Sequence, residues 1–474
     1  MNPVVYDIIF LVLFLAFISF FLFKKRNNLK KEGLLYLYRT NWGIKLINRI
    51  GNKYPKTMKV LSYLSVGCGY VLMISVFYLV YTIVKIYIFV PGAVKAIKVP
   101  PIMPLVPYLP QIFKLEFLPP FYFTYWIIII AIIAITHEMA HGIFAAYNKV
   151  KIKKTGFGFF PFFLPIFLAA FVELDEKIMQ KRKNFAQRAI LSAGTFANIL
   201  TAILFFGILV LFFFSSFSAS GIIYDEYAIS AISIAGITSI NNITVNNPTY
   251  SEFLGLLDET EINNLSVDNR NYFVNKELIE IQDNKQELFV YDSAPAIKAN
   301  LSSIIIEIDG VKIYNTDILV EELSQHSPGD EIIVKTIYEE GIVENKIILE
   351  ENPNAPGTAW LGIAFLSQEK GGFFGKIIDT LSFKKPNVYY EPKFDGVSIF
   401  IYNLLWWLVL ISISVALINM LPVGIFDGGR FLYLTVLSLT KNEKIAKKVF
   451  VLSTKFFIFI LFLLIAFWAI SFIR

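Results

Sequence analysis

Six stretches of this chain are almost wholly apolar and run long without interruption: residues 4–23, 60–84, 122–146, 189–214, 397–418 and 456–473. A helix needs roughly 20 apolar residues to cross the hydrocarbon core of a bilayer. In that solvent, only elements that satisfy their own backbone hydrogen bonds can span. The pattern predicts a polytopic α-helical membrane protein with about six transmembrane helices. Composition agrees, because only 17% of the 474 residues are charged, against about a quarter in soluble domains. The net charge of +6 is gathered in the stretches between apolar runs, so it reads as a topology signal and not as a nucleic-acid footprint. The first run is followed, not preceded, by Lys24, Lys25 and Arg26. That is the reverse of a signal peptide, so the run is read as a retained span. The single Cys68 excludes an intramolecular disulfide and any four-cysteine zinc motif.

Lysine and arginine placement sets the expected orientation. The stretch from Lys24 to Lys59 is strongly basic and should be cytoplasmic. The third run then returns inward before Lys149, Lys151, Lys153 and Lys154, and the last run follows Lys441, Lys444, Lys447 and Lys448. Both termini come out extracytoplasmic, as does the polar segment 221–395, which contains three glycosylation sequons at Asn242, Asn264 and Asn300. Residues 156–172 are apolar but carry basic clusters on both sides and are broken by Gly156, Gly158, Pro161 and Pro165. A re-entrant hairpin fits this better than a seventh span. Eight prolines in 91–120 argue against helix there, leaving a membrane-associated extended segment or a plain loop.

The polar segment reads as β-rich. Runs at Ile304–Ile308, Glu331–Ile337 and Val343–Leu349 are separated by turn signals at Asp309-Gly310, Pro328-Gly329-Asp330 and Glu340-Gly341. There is an internal echo, in which Gly236–Leu257 and Ile304–Leu323 each read as strand, two-residue turn, short strand and amphipathic helix. The second copy, preceded by SAPAIKANL and followed by PGDEIIV, resembles a PDZ domain of the protease-associated kind. Two tandem PDZ-like units are expected within 221–366. The chain is thus divided into 1–120 (two helices and the Pro-rich segment), 121–220 (first half of a membrane core), 221–366 (the extracytoplasmic insertion) and 367–474 (second half of the core).

Two of the three histidines stand four apart, His137 and His141, with Glu138 between them in ITHEMAHGIF. On a helix that spacing puts both imidazoles on one face, where they can share one Zn²⁺ while Glu138 reaches water at the metal. H-E-x-x-H also occurs by chance. Here it sits inside an apolar span, where ionisable groups are expensive unless functional. A hydrolytic zinc site has three protein ligands and one open position, so a third is required. Asp427 is the candidate, since Pro422, Gly424, Gly428 and Gly429 break the fifth span near its inner end and free the backbone to turn a carboxylate inward. The alternative is a helix-terminating turn with a solvated Asp427.

HEMAH in one span and NMLPVGIFDGG in a later one resemble the site-2 protease family of intramembrane zinc metalloproteases. Ala193-Gly194-Thr195-Phe196-Ala197-Asn198 is similar to that family's Gly-x-x-x-Asn motif, and the resemblance covers roughly 121–474. It implies regulated intramembrane proteolysis of transmembrane protein substrates in the lipid bilayer, with one Zn²⁺ per chain held by His137, His141 and Asp427. It further implies Glu138 as base, Asn198 as a substrate or oxyanion contact, and peptide contacts through the PDZ-like region. Three other readings stay open: a zinc membrane protease with a glutamate as third ligand, a catalytically silent scaffold presenting PDZ-like domains, and a transporter. No suitable glutamate lies in a later span, Glu138 is intact, and no inverted repeat is evident.

Overall fold

The computed structural model describes residues 3–32, 35–89, 103–115, 117–159, 168–258, 262–268, 270–280, 282, 286–338, 341–366 and 380–471. Six of its helices are long and apolar enough to cross a membrane: α1 (Pro3–Lys24), α3 (Pro55–Phe89), α4 (Phe123–Tyr147), α6 (Asn184–Ser216), α7 (Asp395–Asn419) and α9 (Glu443–Ser471). All six coincide with the apolar runs. Several begin earlier than hydropathy suggests, because the helical ladder continues through the basic residues at Lys56, Lys59, Lys444 and Lys447, whose charge limits hydropathy but not helix formation. Short helices in this part include α2 (Ile44–Lys53), α5 (Glu176–Gln180) and α8 (Asp427–Thr440). The chain divides into two compact units. One comprises Met1–Phe213 with Ile399–Arg474, and the other Phe214–Ser398.

The first unit is a helix bundle with a small sheet. Strands β1 (Leu29–Glu32), β2 (Leu35–Thr40), β3 (Ile152–Phe159) and β4 (Leu168–Leu174) form a four-stranded antiparallel sheet in that order. The stretch 156–172 is thus built from two paired strands and not from a helix, with 160–167 outside the described residues. The ladders on both sides of β3 pair the backbone at Gly156 and Gly158. Residues 91–102 and 116 of the Pro-rich segment are outside the described residues. Its described part contains one helical turn, Leu109–Ile112, with Pro110 in its first positions, where a missing N–H is tolerated.

Packing in the bundle centres on Val66, Met73, Phe144, Ile190, Ala193, Met420 and Phe431, which join α3, α4, α6 and α8. A second cluster joins α4 to α7 through Trp126, Ile129, Trp407 and Ile411. Asp7 of α1 is 4% exposed. Its carboxylate accepts from the backbone N–H groups of Phe123 and Thr124 at 2.8 and 2.7 Å, and from the hydroxyls of Thr124 and Tyr108. It thereby caps the N-terminus of α4 from another helix, satisfying donors that the first turn leaves open.

The second unit holds two six-stranded sheets. Strands β5 (Phe217–Ile223), β6 (Ile229–Ser233), β7 (Ile237–Ile240), β8 (Ile243–Thr244), β9 (Asn263–Val267), β10 (Arg270–Val274) and β11 (Glu287–Asp292) open the unit. Strands β12 (Ile304–Ile308), β13 (Val311–Lys312), β14 (Glu331–Tyr338), β15 (Gly341–Ile348) and β16 (Val388–Pro392) follow, and four two-residue strands form two further small pairs. The first sheet runs β6-β11-β10-β9-β7-β8. The second runs β15-β14-β12-β5-β16, with β13 paired to β12. Each has its own core, around Ile240, Phe253 and Leu265 in one and Ile305, Ile332 and Leu349 in the other. The internal echo is realised in both. β7, Asn241-Asn242, β8 and the helix Tyr250–Gly255 match β12, Asp309-Gly310, β13 and the helix Thr316–Leu323. All four turn residues have positive φ, as a two-residue hairpin turn of the primed kind requires.

Candidate metal centre and active site

His137 and His141 lie on one face of α4, their Nε2 atoms 3.0 Å apart. Asp427, the first residue of α8, brings Oδ2 to 3.6 Å from His137 Nε2 and 3.3 Å from His141 Nε2. One ligand atom from each residue falls within a 4.8 Å cluster. Two imidazoles and a carboxylate converging without an intervening cation donor form a set suited to a divalent metal of the zinc type. The segment 420–426 between α7 and α8 lets Asp427 arrive here. A Cβ on Gly428 would lie 2.4 Å from the backbone of Met420, so only glycine allows α8 to start against the end of α7. The solvated-turn alternative for Asp427 does not describe this arrangement, in which its side chain is 24% exposed and faces both histidines.

The surroundings fix the imidazoles. His141 Nδ1–H donates to the carbonyl of Ile190 at 2.7 Å, leaving the Nε2 lone pair for a metal. Asn198 is fully buried. Its side-chain nitrogen lies 3.1 Å from His137 Nδ1, while its oxygen has no hydrogen-bond partner. Amide oxygen and nitrogen are assigned from their partners. With the two exchanged, Oδ1 accepts from His137 Nδ1–H, which leaves Nε2 of His137 free to ligate. Space is kept by Gly194, where a Cβ would approach His141 Nε2 to 2.4 Å and His137 Nε2 to 2.5 Å.

Glu138 points elsewhere on α4. Its Oε2 accepts from the backbone N–H of Val172 in β4 at 2.9 Å. Two cavities meet at this residue. One, of about 210 Å³, contains His137, His141, Asp427 and Glu138, with Glu176 and Arg430 on its exposed side. That last pair is a bidentate ion pair with contacts of 3.1 and 2.8 Å. The other is an apolar groove of about 330 Å³ between α2, α4 and the sheet, lined among others by Leu46, Ile135, Met139, Phe157 and Phe171. Asn198 lines neither.

The family model for Peptidase family M50 matches residues 125–464. The chain belongs to this family, the site-2 proteases. Site-2 proteases are zinc-dependent metallopeptidases of membranes, and the six apolar helices make this one a multi-pass membrane protein. No curated protein matches the chain. Elements α1, β1, β2, α2 and α3 precede the matched region.

Sequence reasoning brought together His137, His141 and Asp427, and the structure gathers all three. It missed Gly194 as a space-keeping residue, although the glycine was visible inside the Gly-x-x-x-Asn motif. It also missed Arg430 and Glu176, which no motif marks, and Asp7, whose signal was available: a carboxylate inside an apolar span demands partners.

Proposed function

We propose that this site-2 protease hydrolyses peptide bonds within transmembrane segments of substrate proteins, with His137, His141 and Asp427 holding one zinc ion and Glu138 moving the protons. The observation that carries this reading is the position of Glu138, which borders both the polar cavity holding the ligand triad and the apolar groove. When bound, zinc supplies Lewis acidity to the scissile carbonyl and brings the pKa of a water it holds to about 7. Glu138 takes the proton of the attacking water on its carboxylate and delivers it to the leaving amine. The Val172 N–H holds that carboxylate in place between steps. A substrate helix hides its peptide bonds in its own ladder, so it must unwind before cleavage. The groove receives its apolar side chains, and β4, the edge strand of the sheet, offers unpaired backbone groups to the unwound segment. Asn198, 3.1 Å from His137 Nδ1, acts as a positioning residue behind His137, beside the substrate or oxyanion contact that the motif implies.

By the lysine asymmetry, the triad faces the cytoplasmic side, while 221–366 is extracytoplasmic and filters substrates through PDZ-like peptide contacts. In this reading 121–220 and 367–474 form the two halves of the catalytic core, and 1–120 is an added N-terminal layer. The decisive experiment measures stoichiometric zinc in purified protein together with cleavage of a model transmembrane substrate. Active protein without a transition metal would refute the reading.

A further inference from the structure

A separate cavity of about 460 Å³ lies where α3 and α6 begin and α4 ends. Lys59, Lys149, Arg182 and Lys183 line it together with Tyr63 and Phe185, and no carboxylate is among its lining residues. The backbone carbonyls at the end of α4 already have donors. The carbonyl of Phe144 accepts from the backbone and side-chain N–H groups of Asn148. Those of Ala145 and Ala146 accept from Val150 and Lys149, and that of Lys149 accepts from the Arg182 guanidinium at 2.5 Å. Lys149 Nζ has a neutral partner, Asn52 Oδ1, at 2.6 Å. Helix α6 also starts here, with Phe185 and Ala186 of its first turn in the lining, and its first-turn N–H groups add a positive end. Four cations and the N-terminus of α6 thus surround one space that has no carboxylate in its lining.

We propose that this cavity binds the phosphate of an anionic phospholipid headgroup. The apolar exterior favours a lipid over free phosphate. Tyr63 is 59% exposed and packs its ring 4.8 Å from that of Phe185. Along α3 from this point Leu64, Val71 and Ile74 are 54–68% exposed, a surface along which acyl chains can lie. Tyrosine at the head of an apolar helix face is the usual interfacial anchor, and basic pockets between spanning helices suit anionic headgroups.

The test titrates purified full-length protein with phosphatidylglycerol, phosphatidylcholine or inorganic phosphate and follows the thermal unfolding midpoint. Phosphatidylglycerol should raise the midpoint saturably, and the other two should not. Lys59→Gln with Lys183→Gln should weaken phosphatidylglycerol binding by about thirtyfold, and each single change by about fivefold, which keeps the test available if the double variant does not fold. Lys444→Gln with Lys448→Gln, which removes the same charge from α9, should change it by less than about twofold. An equal shift with inorganic phosphate would reassign the cavity to a soluble anion. Unchanged binding in the Lys59 and Lys183 variants, or an equal loss in the α9 control, would overturn the proposal in favour of diffuse attraction.

Discussion

The backbone N–H of Val172 donates to the carboxylate of Glu138 across 2.9 Å, so the edge strand β4 holds the one acidic residue of the H-E-x-x-H helix in place. Glutamine can accept the same bond but cannot take a proton from water. Glu138→Gln should therefore retain zinc and fold normally while turnover falls by about 10²–10⁴-fold. Elemental analysis beside a cleavage assay checks this, and loss of zinc in that variant would make Glu138 a ligand instead.

Asp427 should fail differently. Its Oδ2 sits 3.6 and 3.3 Å from the two imidazole nitrogens, and an amide there is a weaker, neutral donor. Asp427→Asn and Asp427→Ala should lose metal and activity together. Full zinc and full cleavage in both would mean that another residue completes the site.

Behind the ligands, Asn198→Ala should lower zinc affinity by about 10–100-fold, the usual range for an outer-shell partner of a metal-binding histidine. An oxyanion role predicts intact zinc binding with impaired turnover, so a zinc titration separates the two. Gly194→Ala should be harsher and abolish metal binding, because its Cβ would overlap both rings.

Asp7 caps α4 from another helix with four donors converging on one carboxylate. Asp7→Ala should destabilise the fold by about 2 kcal/mol, with Asp7→Asn losing less because one oxygen still accepts. Thermal unfolding of the two variants gives the order, and equal midpoints for Ala and wild type would show the cap to be energetically silent.

Orientation is open to labelling. After Cys68→Ser, a cysteine at Ser302 should react with a membrane-impermeant reagent only from the extracytoplasmic side, and one at Lys151 or Lys444 only from the cytoplasmic side. Cytoplasmic labelling at Ser302 would reverse the topology.

The six helices were legible because bilayer hydrophobicity must be written locally, one residue after another, and α1, α3, α4, α6, α7 and α9 each carry it. The hairpin turns at Asn241-Asn242 and Asp309-Gly310 were equally local, since positive φ selects those residues. The pairing of β2 with β3 was not legible. Tyr36 meets Phe159 across more than a hundred residues of sequence, and nothing in either strand encodes its partner. In the site, four-residue spacing gave the histidine pair, while Asp427 was read from the helix break around it. Glu176 and Arg430 escaped because an ion pair formed between distant segments leaves no pattern in either.

One pairing in the second unit has a practical meaning. β5 opens the insertion and β16 closes it, and they lie side by side, with Phe217 opposite Pro392. The chain therefore enters and leaves this unit through neighbouring strands, about 5 Å apart as paired strands are. Whatever folds between those two strands adds almost no loop-closure entropy to the bundle. The insertion is in effect a socketed cassette. Because β5 also pairs with β12, the part that can change in size is the first sheet, residues 229–292, which has its own core and lies outside the β5–β16 clasp. Cutting that clasp, and not shortening the cassette, is what would disconnect α6 from α7.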